Sequence, residues 1–333
     1  MSSRGSEAPE GPNLRSASLA RYAQMLVSHI ELRMLVLIVL VVVGLSLLSP
    51  HFLTVNNILN MMDQGVVVGI VALGQTLVIL IGGIDLSVGS LAGVTGIVLG
   101  LSLFHLGVPA SIAICLLVGA GFGFVNGAII VWGRIAPFVV TLGMMSVGRS
   151  LAYVFSGANS INNIPESLAA LSGDSPIGLP TNFLCLIAAY AVCWWFLTYC
   201  KGGRTLYAIG SNKDAARVSG LNIPFWSIFA YVISGVMSGA AATFLASRLL
   251  SIDPIGGTGL ELDSIAGVVI GGASLFGGRG SIVGTLAGVF IMVFIRNALN
   301  LLDVSPYWQG TAIGSIIVAA VLVERMLSSR SRR

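Results

Sequence analysis

The chain has 333 residues, of which 56% are hydrophobic and 9% charged, and its mean hydropathy is +0.95. Ordinary soluble domains carry roughly 25% charged residues, so this composition excludes a soluble globular domain and reads as an all-α integral membrane protein. The net charge of +4 and pI near 9.0 would suggest nucleic acid in a soluble chain. Here they fit cations gathered on one side of a membrane, with no nucleic-acid partner.

Residues 1–32 are polar and read as a loose cytoplasmic tail. They are not a cleaved signal, because the apolar run that follows has no small-residue cleavage site and continues into a full-length span. A bilayer core takes about 20 apolar residues per helix. That length predicts ten spans, near 33–49, 57–81, 86–105, 109–132, 136–156, 181–200, 223–246, 262–277, 281–302 and 307–325. They form one transmembrane domain over 33–325, followed by a basic tail at 326–333. With both termini in the cytoplasm, 14 of the 17 cations fall on the inner side. Arg248 falls in an outer loop, and Arg149 and Arg296 fall within spans. The outer segments are acidic, with Glu166, Asp174, Asp253, Glu261, Asp263 and Asp303.

In chain order, Thr54 is placed to cap the second span, which Asn56, Asn57 and Asn60 open. Gln75 lies inside that span and Asn126 inside the fourth. Each either contacts a polar solute or bonds a neighbouring helix. Asp85 follows a tight Gly turn and either caps the third span or gates the path. Arg149 and Arg296 either line the path or pair across helices, or else they reach the outer interface or are held by an acid such as Asp303 or Asp63. The stretch at 82–94 matches that at 277–289 in eight of thirteen positions, at an offset of 195. An internal repeat of spans one to four in spans seven to ten would explain it.

The longest polar break with clustered cations is Lys201–Asn222, KGGRTLYAIGSNKDAARVSGLN. It carries Lys201, Arg204, Lys213 and Arg217. A short helix is expected over Ser211–Gly220. Ser211 or Asn212 caps its start, Asp214 sits in the first turn, Arg217 near the end, and Gly220 stops it before Pro224. Such a helix between two spans is a natural docking handle.

The chemistry that is missing matters as much. No GxxxxGK[ST] phosphate loop occurs, and the chain has only two lysines. The three histidines are scattered, and the four cysteines sit in or at the ends of apolar spans without metal spacing. No catalytic, metal or cofactor site is expected. No span carries an acid at its centre, where ion-coupled carriers hold H⁺ or Na⁺. A path so poor in charge suits a neutral polar solute, with the energy supplied from outside the chain. An ion-coupled secondary carrier and a passive channel are the competing readings.

The motifs FLTVNNILN (52–60), GGIDLSVGS (82–90), Asn126–Gly127, PFVVTLGMMS (137–146) with Arg149, GRTLYAIGSNKDAARVSGLN (203–222), LDSIAGVVIGGASLFGGRGS (262–281) and the run beginning at Asn297 occur in the same order as in a known family. The chain resembles the permease subunits of ribose-type monosaccharide ABC importers over nearly its whole length. The resemblance implies a bacterial inner-membrane permease that works with a second permease subunit, two ATP-binding subunits and a periplasmic sugar-binding protein. It also implies that 201–222 is the coupling loop, with Arg204, Ser211, Asn212, Asp214, Ala215, Ala216, Arg217 and Gly220 at the ATPase contact. Gln75, Asp85, Asn126, Arg149 and Asn297 are the candidates for the path or its gate.

Overall fold

The computed structural model describes residues 30–162, 164–305 and 308–315, with 318 and 322. Residues 1–29 of the expected leading tail, nine of the 19 residues of the expected tenth span and the basic C-terminal tail lie outside the described residues. Among the described residues the order is α1 (Ile30–Leu48), α2 (Val55–Leu80), α3 (Val88–Leu103), α4 (Val108–Trp132), α5 (Pro137–Ser156), α6 (Glu166–Ala169), α7 (Thr181–Tyr199), α8 (Lys201–Ser211), α9 (Lys213–Val218), α10 (Ile223–Leu249), α11 (Leu260–Ile270) and α12 (Ile282–Leu301). They contain no strand beyond two isolated bridges, Ile161–Ile252 and Asp174–Pro180.

Six of these helices, α2, α4, α5, α7, α10 and α12, are long and apolar enough to cross a membrane. The apolar part of α1 (Leu32–Leu48) and α3 are shorter. Helix α11 departs most from expectation. It has 11 residues, so at 1.5 Å per residue it is ~16 Å long, about half of a ~30 Å hydrocarbon core. The span expected at 262–277 stops at Ile270, because the chain turns at Gly271–Gly272, where Gly272 has φ +85°.

Helix α2 is the axis of the bundle. Of its most apolar stretch 83% is buried, against 28% for α4, 22% for α5 and 28% for α7. Lipid tails are as apolar as leucine, so the helices are held by close packing rather than by a hydrophobic drive between them. The sequence supplies small residues for this. A Cβ at Gly123 of α4 would overlap the Tyr231 carbonyl of α10, and one at Gly235 of α10 would overlap the Gly119 carbonyl. On α3, Gly89, Gly93, Gly96 and Gly100 form one face, and segment 250–259 lies along it. Pro254 O would be 3.0 Å and Gly256 O 3.1 Å from a Cβ at Gly93. Ile252 and Ile161 exchange two backbone hydrogen bonds, at 2.8 and 2.9 Å. Segment 250–259 is irregular, and α3 and residue 161 cover its backbone.

The bundle has two ends. At the handle end, α8 and α9 meet the turns after α2 and α11. Gly278 N donates to Leu80 O at 2.9 Å, Tyr207 Oη donates to Gly280 O at 2.9 Å, and a Cβ at Gly210 would overlap Leu80 O. At the loop end lie segment 157–180 and the start of α2. Thr54 stands at the α2 N-cap position but makes no capping bond, and its hydroxyl donates to His51 O at 2.9 Å.

Candidate functional site

Three of the five residues proposed for the path meet in one buried cluster. Asp85 is fully buried beside the start of α3. Its Oδ1 accepts from Ser87 N at 3.0 Å and Ser87 Oγ at 2.5 Å, and its Oδ2 accepts from Ser234 Oγ of α10 at 2.8 Å. Asn126 Nδ2 of α4 donates to Ser87 Oγ at 2.9 Å. Gln75 of α2, with its amide turned to satisfy both ends, donates to Asp85 O at 3.1 Å and accepts from Asp85 N at 3.2 Å. Four segments therefore meet around Asp85, two of them at its carboxyl group, and among the described residues no cation bonds it. Two buried atoms beside this network, Asn126 Oδ1 and Tyr231 Oη, have no partner among the described residues. A buried polar group without a partner is costly, so the network is a joint with a small unfilled remainder.

The other two candidates lie elsewhere. Asn297 of α12 forms a reciprocal amide pair with Asn57 of α2, at 2.9 and 2.7 Å, which ties the end of α12 to the start of α2. Arg149 Nη1 of α5 donates to Pro254 O at 3.1 Å and so holds segment 250–259. Around Arg149 an open groove of about 590 Å³ is lined by Ser146, Ser150, Tyr153, Thr258 and Glu261.

At the loop end two ion pairs form. Arg248 Nε bonds Asp63 Oδ2 at 2.5 Å, and Asn182 Nδ2 donates to Asp63 Oδ1. Arg296 Nη2 bonds Asp263 Oδ1 at 2.8 Å. This corrects the expected partners of Arg296, since Asp63 is engaged by Arg248 and Asp263 in the first turn of α11 takes its place. Arg248 also lies in the last turn of α10, not in a loop.

The polar break at 201–222 folds as two helices rather than one. Helix α8 buries Thr205, Leu206 and Ile209 and leaves Lys201 and Arg204 exposed. Ser211 ends α8. Asn212 alone caps α9, its Oδ1 accepting from Asp214 N at 3.1 Å and Ala215 N at 2.9 Å. Ala216 is the buried residue of α9, packed with Ile209 and Ile223. Gly220, at φ +76°, closes the helix: Leu221 N donates to Ala216 O and Gly220 N to Arg217 O. That pair of bonds is the left-handed glycine stop expected from the sequence. Asp214 and Arg217 form an exposed pair at 3.3 Å. Val218 in the last turn of α9 is 90% exposed, and Phe276 in the turn after α11 is 83% exposed.

A protein-family model described as branched-chain amino acid transport system / permease component matches residues 57–321. The ribose import permease of Escherichia coli K12 is 40% identical over 300 residues, covering 88% of this chain and 93% of its own length. The D-allose transport system permease of the same organism is 35% identical over 296 residues, 88% of this chain and 90% of its own. The autoinducer 2 import system permease of Photorhabdus luminescens is 32% identical over 287 residues, 85% of this chain and 86% of its own. This chain belongs to that permease family. It is a multi-pass membrane subunit of an importer, as its motifs led one to expect, and no solved structure matches it.

Several features of the permease escape sequence reasoning. The partnership of Asp63, Arg248, Asp263 and Arg296 joins residues far apart in the chain, and only their unusual charge within apolar helices hinted at it. Ser87 was visible inside GGIDLSVGS, but Ser234 carries no signal of its own. Phe276 had one, an aromatic residue flanked by the Gly-Gly of a turn. Glycines 89 and 93 of α3 and their counterparts 284 and 288 of α12, one offset of 195 apart, all make close approaches. Gly284 faces Gly271 O and Gly288 faces Gly267 O.

Proposed function

We infer that the permease carries a monosaccharide or a similar small polar solute inward, driven by an ATP-binding subunit in trans and fed by an external binding protein. The observation that carries this reading is the match over at least 85% of the chain to import permeases for ribose, allose and autoinducer 2. The family description refers to amino acids, but the full-length relatives are more specific to this chain. The missing phosphate loop and the missing charge at the span centres fit a neutral cargo and an external motor.

The handle is the ATPase contact in this reading, and the handle end is cytoplasmic. Sorting of the cations supports ten spans with both termini inside. Arg204, Asn212, Asp214, Arg217 and Gly220 present or shape the contact, Ala215 and Ala216 let α9 pack closely, and Ser211 joins it to α8. Exposed Val218 and Phe276 add apolar anchors. Gly210 and Gly278 press against Leu80, so a push on the handle reaches α2 and the Asp85 joint directly.

The path runs along α5. That helix is mostly exposed, yet its outward side carries Gly143, Ser146 and Ser150 beside Arg149. A polar row at membrane depth is costly against lipid, so it fits a water-lined path closed by a second permease subunit. Arg149 then holds the wall, Gln75, Asp85 and Asn126 form the joint behind it, and Asn297 braces α12.

The test is uptake into proteoliposomes that hold the permease, its ATP-binding subunit and its binding protein. ATP-dependent accumulation of one labelled sugar from a panel of ribose, allose, xylose and galactose is expected, with excess leucine failing to compete. Accumulation of leucine and of no sugar would overturn the reading.

A further inference from the structure

A second cavity lies off the groove, on the other side of the α11 start. Its volume is about 210 Å³, and it is bounded by α2, α10, α11 and α12. Sites for drug-sized ligands run to ~300–1,000 Å³, so this one admits a single small ring and excludes a disaccharide or a peptide. Gln64, Arg248, Asp263 and Arg296 line it, with Val67 and Val293 among its apolar walls.

The charges at this cavity cancel. Of the two arginines that line it, Arg296 pairs with Asp263, which also lines it, and Arg248 pairs with Asp63, which does not. A net anion or cation therefore gains little from the site as a whole. A guanidinium has five N–H donors, and among the described residues each arginine bonds its acid through one nitrogen. The remaining donors, and the Gln64 amide, bond no other described residue. The cavity thus offers spare donors, carboxylate and amide acceptors, and an apolar wall. A neutral polyhydroxylated ring needs that combination, with hydroxyls on its edges and C–H groups on its face.

The backbone adds a second argument. Helix α11 is half the length of a span, and Leu260 and Asp263 of its first turn line the cavity. A broken membrane helix whose N-terminus opens on a cavity is the arrangement by which carriers hold solutes inside the bilayer.

We propose that this cavity is a monosaccharide-holding site within the permease, in which Gln64, Arg248, Asp263 and Arg296 bond the hydroxyls and the valine wall takes the C–H face. The proposal rests on the sugar reading above and adds to it that the membrane subunit itself selects its cargo. The binding protein is then not the sole selector.

The test uses the reconstituted complex and two variants. Val293→Phe fills the cavity from an apolar wall and leaves both ion pairs in place. Gln64→Leu keeps the side chain's size and removes its hydrogen bonds. Expected for Val293→Phe is at least a tenfold fall in sugar uptake by a complex that still assembles. Expected for Gln64→Leu is a severalfold rise in the apparent KM and an altered ratio between ribose and allose. Uptake within twofold of wild type in both variants, with the ribose-to-allose ratio unchanged, would overturn the proposal and leave the sugar reading standing. Absence of sugar uptake by the wild-type complex would overturn the reading, and the proposal with it.

Discussion

The permease treats buried carboxyl groups in two ways. Asp85 is fully buried and held by two serine hydroxyls and a backbone N–H, and among the described residues no cation bonds it. Asp63 and Asp263 are held by arginines at the edge of a cavity, and the Arg296 side chain is 41% exposed. At the first place the carboxyl oxygens are committed to fixed donors from α3 and α10, and the result is rigid. At the second place the donors outnumber the acceptors they serve, and the surplus faces open space. The same residue type thus builds a joint at the handle end and a receptive surface at the loop end. The local count of donors decides which.

The comparison breaks most visibly at the joint. Asp85→Ala strands the Ser87 and Ser234 hydroxyls and the Ser87 N–H in a dry interior. Each stranded group costs about 1–3 kcal/mol, so a loss of about 3 kcal/mol or more is expected, read as a large fall in the unfolding midpoint of the detergent-purified protein. Asp85→Asn keeps an acceptor oxygen and should lose less. If Asp85→Ala unfolds at the wild-type midpoint, the joint does not bear on stability.

A smaller effect is expected at the cavity. Arg296→Gln leaves Asp263 without its partner. Breaking a fully buried pair costs about 3–5 kcal/mol, but Arg296 is two-fifths exposed and solvent screens it, so about 1–2 kcal/mol is the expected loss. The double variant with Asp263→Asn should recover part of it, as a coupled pair does in a double-mutant cycle. Strict additivity of the two single losses would show that the pair is not coupled.

Much of this arrangement was legible in the chain. Apolar runs located the long helices, and the grammar of Asn212, Asp214 and Gly220 foretold α9 to within a residue or two. Gln75, Asp85 and Asn126 stood out as polar groups in apolar spans, but nothing local said that they meet. They lie on α2, before α3 and on α4, and only packing brings them to one point. Asn297 was legible as polar, yet its partner Asn57 is 240 positions away. Hydropathy read 262–277 as one span because apolar residues continue through the turn, and the Gly271–Gly272 pair was the available signal of the break. Helix α8 was missed because its exposed cations mask the buried side that Leu206 and Ile209 form.

The smallest effect on the fold is expected at the handle, and it carries the central claim. The Asp214–Arg217 pair is exposed, so exchanging the two residues should leave the unfolding midpoint nearly where it is. In proteoliposomes holding the permease, its ATP-binding subunit and its binding protein, the exchange should cut sugar accumulation at least tenfold while ATP hydrolysis continues. Sugar accumulation at the wild-type rate, or accumulation driven by an ion gradient with no ATP-binding subunit present, would contradict an ATP-driven permease coupled through α9.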